Sequence, residues 1–122
     1  MRHVIPILFY LLSVIHILPA LSGLSGTRFG KLYGVATEDS TLITLLQHRA
    51  VLFGFVGAAC IYAAHSPAIR WPVLVGTIVC MASFIIIAAM RGTLSGALNK
   101  IVIVDAVGLL IAAILIFLMA KG

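Results

Sequence analysis

Four long apolar runs constrain this chain more than any other feature: residues 4–24, 42–64, 69–90 and 101–120. Each has about the 20 residues that a helix needs to cross a hydrocarbon core of roughly 30 Å. In lipid an unpaired backbone N–H or C=O has no water to turn to, so runs of this length fold as helices rather than as isolated strands. A tight turn at His65-Ser66-Pro67 and a short link over residues 91–100 join the last three runs. Short links make sequence neighbours antiparallel. The expected fold is therefore all-α: one domain over residues 1–122, an integral membrane bundle of four antiparallel transmembrane helices.

Composition agrees with a bilayer solvent. Apolar residues make up 63% of the 122 and charged residues 9%, far from the roughly 45–50% and 25% of soluble domains. The net charge of +5 arises from eight Lys and Arg against Glu38, Asp39 and Asp105. Arg2, Arg28, Lys31, Arg70, Arg91, Lys100 and Lys121 stand singly at the ends of apolar runs, where they meet anionic headgroups. With no basic run or recognition motif, nucleic acid is not an expected partner. The Lys and Arg bias sets no orientation: Arg2, Arg70 and Lys121 lie on one side, and Arg28, Lys31, Arg91 and Lys100 on the other.

The first run begins after Arg2 and ends near Ala20-Leu21-Ser22, an outline shared with signal peptides. Its length and its His16 and Pro19 argue for a retained helix instead. Asp39 or Ser40 suits the N-cap of the second helix, where an acidic residue also meets the positive end of the helix dipole. Pro67 and Pro72 bracket the start of the third helix, and Trp71 beside Arg70 fits an interfacial anchor. The loop from Ser25 to Thr41 reads as an amphipathic interfacial segment. Cys60 lies about 6 Å and Cys80 about 15 Å along their helices from the turn that joins them. That difference in depth implies free thiols rather than a disulfide.

Ionisable residues inside spanning helices are rare and usually face the bundle interior. Here they are His16, the adjacent His48 and Arg49, and Asp105. Helix one runs opposite to helices two and four, so His16, Arg49 and Asp105 all come within roughly 6–12 Å of the same membrane face. Ser13, His16, Ala20 and Gly23 share one helical face, and Asp105, Gly108 and Ala112 share another. Small residues allow close helix approach in lipid, so both stripes should point inward. On the second helix the small stripe is Ala50, Gly54, Gly57 and Ala58, with Gln47 near its line. His48 and Arg49 stand about 100° apart on either side of that stripe, and both can hardly face one cavity centre.

The candidate ligand-binding residues are thus His16, Gln47, His48, Arg49 and Asp105. His16, Asp105 and Arg49 are the candidates for catalysis, the first two as proton carriers and Arg49 as a stabiliser of negative charge. A structural reading stands beside these: Arg49 snorkels to the headgroups, and Asp105 is an ion-pair partner of Arg49 or Lys100 that sets helix register. No HExxH, Cys-His or carboxylate cluster has metal-ligand spacing, so no metal is expected. His16 and His48 could in geometry be two axial haem ligands from adjacent helices, but no haem-binding pattern accompanies them. GxSxG, GxxxxGK[ST] and GxGxxG are all absent, which removes support for hydrolase and nucleotide chemistry.

Leu32-Tyr33-Gly34 and the segment Gln47-His48-Arg49-Ala50-Val51-Leu52-Phe53-Gly54, together with His16 and Asp105, resemble a family of short bacterial four-helix membrane proteins similar to the DoxX-like group. The resemblance spans essentially the whole chain. It implies a multi-pass protein of the bacterial inner membrane, and it implies an association with membrane redox complexes and quinones. The chain departs from a thiol-redox bundle in having no paired cysteines.

Three functions follow as expectations. The first is binding of a quinone-like or lipid molecule, or service as an accessory subunit of a larger membrane complex. The second is an intramembrane acid/base enzyme acting on an isoprenoid or sterol-like substrate. The third is a small proton-coupled transporter, which with only four helices needs a homo-oligomer built through Ala50, Gly54 and Ala58.

Overall fold

The computed structural model describes residues 3–23, 40–96 and 98–121. Four helices account for nearly all of them: α1 (Val4–Gly23), α2 (Ser40–His65), α3 (Arg70–Met90) and α4 (Asn99–Lys121). All four are long and apolar enough to cross a membrane, and the chain is a multi-pass membrane protein of the all-α class. The interfacial loop and the Asp39 cap expected from sequence lie outside the described residues.

The large side chains left outside the bundle are mainly aliphatic or aromatic and include Leu18, Phe55, Tyr62, Met90, Leu110 and Phe117. On a soluble protein such a surface would be an aggregation hazard; in a bilayer it is the surface in contact with lipid.

The helix boundaries differ from the hydropathy windows by a few residues at polar ends, because helical hydrogen bonding continues past the apolar run. α2 starts at Ser40 and α4 at Asn99. At the other boundary, Ile69 belongs to a 3-10 turn, Pro67–Ile69, that precedes α3. Pro72 then falls in the first turn of α3, where its missing N–H has no intrahelical partner to lose.

Arg70 has a more definite role than an interfacial anchor. Its Nε donates to the Ala63 carbonyl at 2.9 Å and its Nη2 to the Ala64 carbonyl at 3.0 Å. These are end carbonyls of α2, which lack helical donors of their own. On the same side of the bundle, the Tyr10 hydroxyl and His65 ring form a hydrogen bond that ties α1 to the end of α2.

At the opposite end, α3 closes with Gly92 at φ 71°. Thr93 N–H donates to Ala88 O and Gly92 N–H to Ala89 O, the paired bonds of a Schellman cap. A residue bearing a Cβ is disfavoured at that φ, which explains the glycine. Gly96 turns the chain again at φ 94° before α4.

The helices form a ring. Each packs on its sequence neighbour and α4 returns to α1, leaving α1 opposite α3 and α2 opposite α4. The tightest seam joins α1 and α2. A Cβ on Gly57 would collide with Ile17 and come within 3.2 Å of the Ser13 carbonyl oxygen, while one on Gly54 would meet Ala20 at 3.6 Å. The small stripe of α2 is therefore used inside the chain, with Ala50 buried in the same way. Ala58 is exposed. Of the Ala50, Gly54 and Ala58 stripe read as an oligomer seam, Gly54 already packs on Ala20 of α1.

Gly108 plays the matching part on α4, where a Cβ would run into Met81 of α3. The dry core joins Phe9 and Leu12 of α1, Cys60 and Ala63 of α2, Leu74 and Met81 of α3, and Ala112 and Leu115 of α4. Cys60 is buried beside the Thr77 hydroxyl, Sγ to Oγ1 3.6 Å, and Cys80 is exposed; both are free thiols.

The glycines make a stability test. Gly57→Ala should cost about 1–3 kcal/mol through overpacking. Gly76→Ala has nothing within 4 Å of its new Cβ and should be neutral or stabilising by up to about 1 kcal/mol on helix propensity. Unfolding titrations of the two variants in mixed micelles will compare them.

Candidate functional site

His16 lies on the inward stripe of α1, where Leu12, Ser13 and Ala20 are also buried. Its own exposure is only 3%. The ring Nδ1 stands 2.8 Å from the Leu12 carbonyl oxygen. A carbonyl can only accept, so Nδ1 carries the proton, and in the neutral ring Nε2 is left with a lone pair. Phe53 of α2 meets the imidazole edge to face, with ring centroids 5.9 Å apart.

Asp105 is the polar member of the inward stripe on α4, buried with Gly108 and Ala112. Among the described residues no ion pair joins it to Arg49 or Lys100. Arg49 acts on it through its field. Asp105 and Arg49 belong to diagonally opposite helices of the ring.

His16 and Asp105 line one cavity between α1 and α4, of about 110 Å³. Ile15 and Pro19 of α1, Phe53 of α2 and Val104 of α4 supply much of its apolar wall, and Lys100 contributes to its lining. Pro19 matters chemically as well as sterically. It has no N–H to give the carbonyl of Ile15, four residues back, so that oxygen loses its helical donor.

Arg49 faces a second cavity of about 360 Å³ between α2 and α3, together with Cys80, Ser83 and Thr93. Its guanidinium carbon lies 4.7 Å from the centroid of Phe53 and 4.9 Å from that of Phe84. Two aromatic faces at these distances hold a cation by its attraction to their π-clouds. Phe53 lines both cavities and stands between the imidazole and the guanidinium.

The five candidate residues are therefore not gathered at one point. His16 and Asp105 share a cavity, Arg49 occupies the adjacent one, Gln47 is half-buried outside both, and His48 is exposed. One residue of helix rotation separates His48 from Arg49, and only Arg49 is turned towards α3. Among the described residues, no group of three or more His, Cys, Asp or Glu is placed to hold a metal ion.

Sequence reasoning missed Phe53, Phe84 and Pro19 as site residues. The spacing of Arg49 and Phe53, four apart on one helix, was a readable signal. Phe84 carried none, because it arrives from another helix.

The chain matches no protein-family model, no curated protein and no solved structure.

Phe53 should be the most sensitive aromatic position. Phe53→Ala removes a wall common to both cavities as well as the contacts with His16 and Arg49, and is expected to cost about 3 kcal/mol. Phe84→Leu keeps much of the volume and loses chiefly the cation contact, for about 1 kcal/mol. Denaturant titration of the two variants in micelles should reproduce that order.

Proposed function

We propose that this chain binds a lipid-soluble small molecule, quinone-like or lipid, in the cavity between α1 and α4. It does so as a multi-pass protein of a bacterial inner membrane, alone or as an accessory subunit of a larger membrane complex. The DoxX-like resemblance is part of this proposal and points in the same direction.

One observation carries the reading: two buried polar side chains, His16 and Asp105, line a single cavity whose walls are otherwise largely apolar. Polar side chains at membrane depth are costly and persist where they meet each other, water or a ligand. A largely apolar pocket with a few fixed polar groups is the usual form of a small-molecule site.

Size narrows the ligand. The cavity, about 110 Å³, is smaller than the roughly 150 Å³ cavity known to admit benzene. It takes the polar end of a molecule whose remainder lies along the helices. A sterol-sized substrate would not be enclosed, and without enclosure the water exclusion that acid/base catalysis draws upon is missing. Binding is thus the better-supported reading than turnover.

Protein purified from native membranes in mild detergent should carry a lipid-soluble compound in near-stoichiometric amount, seen by solvent extraction and mass spectrometry. His16→Ala and Asp105→Asn should each lower the bound amount about tenfold, the loss of roughly 1.4 kcal/mol. Wild-type protein that carries nothing above an unrelated four-helix control would overturn the proposal.

A further inference from the structure

We infer that the cavity between α1 and α4 selects a ligand whose buried end donates a hydrogen bond, a neutral phenolic or alcoholic O–H on an apolar body, over one that presents a carbonyl. The inference rests on the binding proposed above and specifies its chemistry.

The polar groups deep in this cavity are acceptors. Nδ1–H of His16 is committed to the Leu12 carbonyl at 2.8 Å, which leaves Nε2 as the ring nitrogen available to a ligand, in its lone-pair form. Turning the ring to offer a donor would break that bond inside a low-dielectric bundle, so the backbone of α1 holds the tautomer. Asp105, as a carboxylate, offers oxygens that only accept. The carbonyl of Ile15 has lost its helical donor to Pro19 and belongs to a cavity-lining residue. His16 and Asp105 thus bring their acceptors to a space too small for a large hydrated cluster.

Cations bear on the choice as well. Lys100 lines the same cavity but is exposed, five residues nearer the start of α4 than Asp105 and so about 7.5 Å shallower. Arg49 adds positive field from the far side of Phe53. Two positive charges around one carboxylate disfavour a cationic amine and favour a neutral donor. A quinone carbonyl would bring an acceptor against acceptors, with Lys100 at the rim as the one cationic donor.

Three redox-stable or fully oxidised probes of nearly equal shape separate the possibilities: 2,6-dimethylphenol, 2,6-dimethylanisole and 2,6-dimethyl-1,4-benzoquinone. Binding of each to the full chain in nanodiscs is measured by saturation-transfer NMR and corrected for partition into empty nanodiscs. The phenol should bind at least tenfold tighter than the other two, and His16→Phe and Asp105→Asn should each reduce that preference. If the anisole or the quinone binds as well as the phenol, donor selection is wrong while the binding site stands. A preference that survives unchanged in both folded variants assigns it to other residues and also overturns the inference. If none of the probes binds, the inference and the proposed site fall together. The comparison among probes is made in the wild-type protein, so it does not depend on either variant folding.

Discussion

The close approach of α1 and α2 at Gly57 is the contact on which the rest of the bundle depends. Lipid tails are as apolar as leucine, so helices in a membrane associate through tight packing and hydrogen bonds instead of through expulsion of water. At Gly57 the two backbones are close enough that a single added carbon would strike Ile17. That depth of approach brings Phe53, one turn earlier on α2, against the imidazole of His16. It also aims the next face of α2 at α3, where Arg49 finds Phe84. The polar half of the bundle is built outward from a seam of glycine and alanine.

The two ends of the ring are held differently. Towards the 65–70 turn, Arg70 satisfies two carbonyls of α2 and Tyr10 bonds to His65, so side chains bridge successive elements. The dry core of Phe9, Leu12, Cys60 and Leu115 lies in that half. Towards the 91–98 link, closure is by backbone geometry at Gly92 and Gly96, with Asn99 bonding to the Leu94 carbonyl. Both polar cavities lie in this second half. A bundle sealed firmly at one end leaves room for side chains with unmet hydrogen-bonding capacity at the other.

Much of this was legible in sequence, and for a simple reason. A bilayer imposes a length and a polarity that four apolar runs satisfy in only one way, so element type and antiparallel order followed directly. The inward faces of α1 and α4 were equally readable, because Ser13, His16 and Ala20, and Asp105, Gly108 and Ala112, repeat at helical spacing and are buried together. What helical spacing does not encode is which helix lies across from which. The ring order puts Asp105 beside His16 and across from Arg49, so the depth of three residues in the membrane was a sound guide to proximity but not to pairing. The same ignorance of neighbours hid Phe84.

Phe53 gives the site its character. An arginine and an aspartate at similar depth in a low dielectric attract strongly enough to collapse into an ion pair when nothing intervenes. Here the guanidinium is held over the rings of Phe53 and Phe84, within α2 and α3, and the carboxylate stays with His16 between α1 and α4. Opposite charges kept apart by an aromatic wall leave Asp105 with its acceptor oxygens unspent. A carboxylate that lines an apolar cavity is costly at membrane depth, and water or a molecule that brings a donor lowers that cost. The cavity beside Asp105 is too small and too apolar to hold much water, and it borders helices that face lipid. Under the binding proposed for this cavity, a donor on an apolar body is the partner that would lower that cost most, arriving by way of the bilayer.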